Sequence, residues 1–292
     1  MSYQLVQLKN GTWSVHSVRE EETFHPVIGP VAEAEALYVR QLRLLERMAA
    51  IENREFVVWD IGLGAAANAL TALRALRHLP GRLRLISFDC TLEPLRFAHC
   101  HSDQLVFLDG YDGSVKNLLE AGRVQFRDRN LEVAWEVRIG DFPSLLHSDA
   151  ARNWPSPDAI LFDAYSPAKN PAMWNLALFT RLFEIVAPVH PCNLATYSRA
   201  TLLRTTLLLA GWHVGAGDAT GEKEETTVAA TVPELINRPL DGGWLERAYR
   251  STSAEPLADS QYCQRPLSAA NRERLTEHPQ FQKYCRTAAT RK

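Results

Sequence analysis

Apolar residues alternate on either side of Asn10-Gly11, with Leu5, Val6 and Leu8 before it and Trp13 and Val15 after it. That dipeptide suits a type I′ turn, so residues 3–18 are predicted to form a hairpin. The run Glu20-Glu21-Glu22 reads as solvated, and Thr23-Phe24-His25-Pro26 follows it. Over residues 31–50, Ala34, Leu37, Val39, Leu42, Leu45 and Met48 recur at helical spacing among good helix formers. One helix is predicted there.

From residue 53 short apolar runs alternate with helical segments, the signature of a doubly wound α/β sheet. Strands are predicted at 56–61, 83–88, 159–162 and 193–197, with helices at 65–79, 92–100, 174–187 and 200–210. A short helix at 115–119 and a hairpin at 124–126 and 131–139 come between, the hairpin being inserted near the third strand. Two closing strands, 212–216 and 226–231, complete a Rossmann-like sheet of seven strands. Periodicity is weak after Pro233, where Lys and Arg outnumber Asp and Glu. The chain thus divides into an N-terminal hairpin and helix (1–52), a sheet domain (53–232) and a C-terminal extension (233–292).

At 46% hydrophobic and 23% charged residues, the composition is that of an ordinary globular protein. A net charge of −2 gives no strong electrostatic footprint for nucleic acid. No apolar run is long enough to cross a membrane, and residues 1–9 lack the basic and apolar regions of a signal peptide. Five irregularly spaced cysteines, Cys90, Cys100, Cys192, Cys263 and Cys285, read as reduced thiols of a cytoplasmic protein. His99-Cys100-His101 is not read as a metal site, because neighbours one and two apart on a helix point in different directions.

Four strand ends carry the candidate chemistry. Asp60-Ile61-Gly62-Leu63-Gly64 leaves a strand through glycines that let a ligand approach main-chain N–H groups, although a plain strand–helix turn explains them equally. Ala66 and Ala67 leave no third glycine for a dinucleotide fingerprint. Asp89 stands where a carboxylate accepts hydrogen bonds from both hydroxyls of a ribose, or else caps the next helix. Gly140-Asp141 offers an acid and a following N–H to an adenine edge, or simply makes a turn. The fourth end opens the stretch Asp163-Ala164-Tyr165-Ser166-Pro167-Ala168-Lys169-Asn170-Pro171-Ala172-Met173-Trp174. Its prolines stiffen a loop at the C-terminal end of a strand, where open α/β sheets bind ligands. Strand-end acids, a glycine turn and a terminal antiparallel pair describe a methyltransferase sheet better than a dehydrogenase.

Together these segments resemble the methyltransferase part of the MnmC family. Its loop carries D-G/A-F-A/S-P-x-K-N-P-x-M/L-W where this chain has Asp163 to Trp174. Asp60 to Gly64 with Asn68 is similar to the family's E/D-L/I-G-F-G-T-G-x-N, Ile86-Ser87-Phe88-Asp89 to its I-S-F-E/D, and Gly140-Asp141 to its G-D. The resemblance runs from Phe24 to about Val232. It implies S-adenosylmethionine as cofactor, held by Asp60, Gly62, Gly64, Asn68, Asp89 and Asp141. As acceptor it implies the amine of 5-aminomethyl-(2-thio)uridine at the wobble position of tRNA. Asp163 is then the base or proton relay, Tyr165 flanks the nucleobase, and Lys169 contacts a phosphate or pairs within the loop. Asn170 and Trp174 are expected to cap and anchor the following helix. The family's basic K-R-E segment reads Lys223-Glu224-Glu225 here, which leaves a small-molecule or peptide amine open as acceptor. An aminopropyltransferase shares the sheet and its acids but has a G-G-G-D-G-G turn that this chain lacks. A cofactor-binding module without catalysis is the last alternative. No second dinucleotide motif, as a flavin half requires, follows Val232.

Overall fold

The computed structural model describes residues 2–221, 224–259, 261–282 and 284. Strands β1 (Tyr3–Gln7) and β2 (Trp13–Ser17) pair antiparallel with Gln7 opposite Trp13, and β3 (Glu22–Thr23) adds to β2. The hairpin is as expected, but its loop runs from Leu8 to Thr12 and is not a type I′ turn. Such a turn needs both central residues left-handed, and here Gly11 alone is, at φ 84°. Asn10 Oδ1 instead accepts from the N–H and Oγ of Thr12, at 3.1 and 2.7 Å.

The single predicted helix is divided into α1 (Pro30–Ala34), a π-helical turn (Glu35–Arg40) and α2 (Leu44–Ala49). Arg43, left-handed at φ 51°, makes the break. Asn193 Nδ2 donates to the freed Leu42 carbonyl at 3.3 Å, and the Asp218 N–H donates to Gln41 Oε1 at 2.6 Å. Long-range partners thus override a helical periodicity that is locally sound.

Strands β4 (Phe56–Ile61), β5 (Gly81–Asp89), β6 (Arg123–Asp128), β7 (Leu131–Ile139), β8 (Ala159–Phe162), β9 (Asn193–Thr196), β10 (His213–Gly217) and β11 (Thr226–Ala230) form one sheet. Its order is β10-β11-β9-β8-β4-β5-β7-β6. To the seven expected strands it adds β6, the first arm of the inserted hairpin, antiparallel to β7. Strands β7, β5, β4, β8 and β9 are parallel, while β11 and β10 close the other edge antiparallel. Helices α3 (Ala67–Leu76), α4 (Glu93–His99), α5 (Asp112–Ala121), α6 (Phe142–His147), α7 (Leu176–Val186) and α8 (Thr201–Leu209) alternate with the strands. The chain winds from β4 outward through β5 and β7, then returns to the other side of β4 as β8. In open sheets the crevice beyond the strand ends at such a reversal is the ligand site.

Two apolar layers cover the two faces of the sheet. Alternation along β4 feeds both: Phe56 and Val58 enter the layer of Leu37, Leu70 and Trp135, while Val57, Trp59 and Ile61 enter that of Phe88, Phe162 and Trp212. The tail folds onto the second layer, where α9 (Gly242–Arg250) contributes Trp244 and Leu245, and α10 (Ala269–Glu277) contributes Leu275. Gln280 Oε1 accepts from the Val214 N–H and its Nε2 donates to the Val214 carbonyl, so it caps the edge strand as a strand neighbour would. Among the described residues, no helix is long and apolar enough to cross a membrane, and no group of three or more His, Cys, Asp or Glu is placed to hold a metal ion.

Candidate functional site

The parallel register brings the predicted residues to one rim. Ile61 lies opposite Phe88 and Phe162, and Asp89 opposite Ile139. Backbone bonds tie the ends together: Gly62 N–H to Phe88 O, Gly140 N–H to Asp89 O and Asp163 N–H to Ile61 O, each 2.9 Å. Gly62 has φ 93°, and a Cβ on it would stand 2.5 Å from the Asp163 carbonyl oxygen. Only glycine lets the β4 turn pass so close to the loop after β8. Ala66, at the position of the missing third glycine, takes a left-handed φ of 67° directly before α3. An alanine therefore keeps a glycine's backbone shape, at a cost of about 1 kcal/mol.

The acids at the rim differ in environment. Asp89 Oδ2 accepts from the Gly64 N–H at 2.9 Å and Oδ1 from the Thr91 N–H at 3.2 Å. Burial raises its carboxyl above the usual range, and these N–H groups draw it part of the way back. The Cys90 N–H is a third backbone donor to this carboxylate, which leaves room for a further donor among its roughly four lone-pair sites. Asp60 lies beneath the turn, fully buried. Its Oδ2 accepts from Ser87 Oγ at 2.8 Å, its Oδ1 has no partner, and burial pushes its carboxyl up to about 7. Asp141 is exposed and caps α6, accepting from the Ser144 N–H at 3.1 Å and Ser144 Oγ at 2.6 Å.

Asp163 stands at the reversal itself. Asn68 Nδ2, from the first turn of α3, donates to Asp163 Oδ2 at 2.7 Å. The loop that follows is held from behind, as Tyr197 OH donates to Ala164 O at 3.0 Å and the buried Trp174 donates Nε1–H to Tyr165 O at 2.7 Å. Trp174 is the anchor, as expected. The helix cap is Asn175, whose Oδ1 accepts from the Leu178 N–H at 2.8 Å; Asn170 precedes a 3₁₀ turn and its side chain caps nothing.

What the sequence did not foretell is a strap laid over this rim by residues 20–26. Glu22 Oε1 accepts from Ser166 Oγ at 2.6 Å, so the acidic run is not simply solvated. Lys169 pairs with Glu21 of the strap at 3.3 Å and not with a residue of its own loop. Phe24 packs against Tyr165, ring centroids 6.0 Å apart, and against Gly64, whose Cβ would lie 3.3 Å from its ring. Burial raises the Tyr165 phenol above its ordinary range. His25 Nε2 lies 3.8 Å from Asp163 Oδ2. The strap has no periodicity to mark it; its one signal is that the family resemblance begins at Phe24. Across the rim, Glu224 and Glu225 pair with Arg199 and Arg204 at 3.6 and 2.8 Å, while Lys223 lies outside the described residues.

Residues 104–232 match a family described as S-adenosyl-L-methionine-dependent methyltransferase. The tRNA 5-methylaminomethyl-2-thiouridine biosynthesis bifunctional protein MnmC of Methylibium petroleiphilum is 30% identical over 250 residues, covering 81% of this chain and 35% of that protein. Its counterpart in Cupriavidus metallidurans is 29% identical, covering 80% and 35%. The chain thus spans about a third of the length of these curated relatives. The crystal structure of MnmC2 from Aquifex aeolicus aligns with a TM-score of 0.68 at 22% identity, over 94% of this chain and 84% of that one. A spermidine synthase in complex with the transition-state analogue AdoDATO aligns with a TM-score of 0.51 at 10% identity, over 94% and 84%. Both likenesses are of fold. The chain is an S-adenosylmethionine-dependent methyltransferase and carries a methyltransferase domain of the MnmC type.

Proposed function

We propose that the rim of β4, β5, β7 and β8 transfers a methyl group from S-adenosylmethionine to a primary amine, that of 5-aminomethyl-(2-thio)uridine at the tRNA wobble position. The observation that carries this reading is Asp163: a carboxylate at the sheet reversal, fixed by Asn68 and by the close approach of Gly62. The donor supplies an electrophilic methyl group on a cationic sulfur. Gly62 and Gly64 carry no side chain to hold the donor off the turn, and Asp89 at the end of β5 suits the ribose hydroxyls. Asp141 and the N–H beyond it meet the adenine edge. Asp60 and Asn68 act from beneath, the first by supporting the turn and the second by orienting Asp163.

An alkylamine is mostly protonated at neutral pH, with Lys near 10.4 as its guide. Asp163 accepts a hydrogen bond from the amine and removes or relays its proton, leaving a lone pair in line with the methyl group. Alignment is the larger contribution, since it can supply roughly 7–11 kcal/mol of a barrier. Tyr165 flanks the base that carries the amine. Lys169 serves a phosphate once it leaves Glu21. The tRNA acceptor is supported by the names of the relatives; a cytoplasmic setting is supported by the free thiols Cys90, Cys100, Cys192 and Cys263.

A second reading keeps the site and replaces the acceptor with a small-molecule or peptide amine. It is favoured by the acidic strap, which neutralises Lys169 and sets Glu21 and Glu22 beside the loop. Labelled donor offered together with unmodified tRNA and a pool of small metabolites separates the two. Label in a wobble nucleoside supports the first, label in a small amine supports the second, and label in neither removes both.

A further inference from the structure

His25 lies between two carboxylates that reach the site from different elements. Its Nδ1 is 3.8 Å from Glu33 Oε2 on α1, and its Nε2 is 3.8 Å from Asp163 Oδ2. The imidazole is 9% exposed and the Glu33 side chain 10%. The backbone is bent to put it there, since His25 is left-handed at φ 50°, a conformation that non-glycine residues adopt rarely. The strap is pinned directly before it, by Phe24 N–H to Val15 O at 2.8 Å and by Ser14 Oγ to the Phe24 carbonyl.

We propose that His25 is a positioning residue of the methyl-transfer site, drawing off through Asp163 the proton that the acceptor amine must lose. The proposal rests on the amine reading above. An alkylammonium gives its proton to the Asp163 carboxylate, and Asp163 passes it to the Nε2 lone pair of neutral His25. Asp163 regains its charge, and the imidazolium is held between it and Glu33. The freed amine lone pair forms the new N–C bond as the donor's C–S bond breaks, and the electron pair of that bond stays on sulfur. The product leaves as a secondary ammonium, and His25 returns its proton to water. Glu33 has a defined part: it favours the tautomer with Nδ1–H toward itself, which leaves Nε2 as the acceptor. A gap of 3.8 Å exceeds hydrogen-bond reach, and such catalytic contacts commonly tighten when substrate binds.

The titratable groups gathered here are Glu22 on the strap, Glu33 and Tyr38 before the break at Arg43, Asp60 beneath the turn, and Asp163 and Tyr197 at the strand ends. Burial pushes both phenols far above their ordinary range, so they stay neutral. Below pH about 7 Asp60 is neutral as well. The carboxylates that face His25 are those of Glu22, Glu33 and Asp163.

The test compares wild type, His25→Gln, Glu33→Gln and the double variant. Turnover and acceptor KM are followed from mildly acid to alkaline pH, and donor affinity is measured by calorimetry. At neutral pH the His25→Gln turnover falls about 100-fold. It recovers toward alkaline pH, where the amine sheds its own proton, with KM and donor affinity unchanged. Glu33→Gln loses less, and the double variant is no worse than His25→Gln alone. Unchanged turnover in His25→Gln overturns the proposal. So does an equal loss at every pH with weakened donor binding, the mark of a structural role. Should His25→Gln fold poorly, the pH profile of Glu33→Gln decides by the same two criteria. A wild-type protein that methylates no amine removes the amine reading and this inference with it. An active wild type beside an unaffected His25→Gln removes the inference alone.

Discussion

Replacing Gly62 with alanine attacks the contact on which the site depends. The glycine has φ 93°, and an added Cβ would meet three backbone atoms: Asp163 O at 2.5 Å, Asp163 C at 2.9 Å and Ala164 N at 3.3 Å. None belongs to a side chain that can swing aside. To reach an ordinary contact of 3.4 Å, the Asp163 carbonyl must retreat by 3.4 − 2.5 = 0.9 Å. The loop resists, held by Tyr197 and Trp174. Left-handed strain of about 1–2 kcal/mol and overpacking of about 1–3 kcal/mol together make a destabilisation of about 3 kcal/mol. Thermal unfolding should then occur roughly 6–12 °C lower. Displacing a reacting carboxylate by nearly 1 Å should also cost about 100-fold in turnover. Gly64→Ala is the control: its φ is 51°, but its nearest neighbour is the Phe24 ring at 3.3 Å, which can yield. It should lose only the backbone strain, about 1 kcal/mol. Differential scanning calorimetry and labelled-methyl transfer measure both quantities. Equal, small effects from the two substitutions would refute the contact between the β4 turn and the Asp163 loop.

Three further outcomes are expected. Asp60 titrates near 7 folded against 3.8 in the ordinary state, so its stability penalty is absent below pH about 4, grows with pH and is complete above about 7. Asp60→Asn should therefore stabilise the fold by about 4 kcal/mol at alkaline pH and hardly at all in acid; a gain independent of pH, by denaturant titration, would contradict the burial explanation. His278 is lowered from 6.5 to about 4 by burial first and by His213 second. Its contribution is intact above pH 6.5 and is lost as pH falls toward 4, so at pH about 5 the fold loses about 2 kcal/mol, a drop that His278→Gln should abolish in thermal scans. Asp89→Ala removes a charged acceptor, worth about 1.5–3 kcal/mol, and should weaken donor binding about 10- to 150-fold; unchanged affinity by calorimetry would remove the ribose assignment.

The sheet was legible because each parallel strand is a short apolar run that ends on a glycine or an acid, and β4 and β8 show this most clearly. The rim was legible for the same reason, since register alone brings Gly62, Asp89, Asp141 and Asp163 together. What escaped was decided by distant partners. Nothing within residues 31–50 announces a break at Arg43, because the groups that make it worthwhile are Asn193 and Asp218. The tail hides its docking face, since α10 buries Leu275 alone. Phe24 and His25 look like part of a link between elements, because a strap is defined by what it covers and not by its own periodicity.

The central claim is that Asp163 serves methyl transfer from S-adenosylmethionine to an amine. Its most direct test is Asp163→Asn, offered labelled donor and tRNA bearing unmethylated 5-aminomethyl-uridine, with the nucleosides resolved by mass spectrometry. The wild type should place the label on the wobble amine, and the variant should bind donor normally but turn over at least about 100-fold more slowly. A variant that transfers methyl groups as fast as wild type would contradict it.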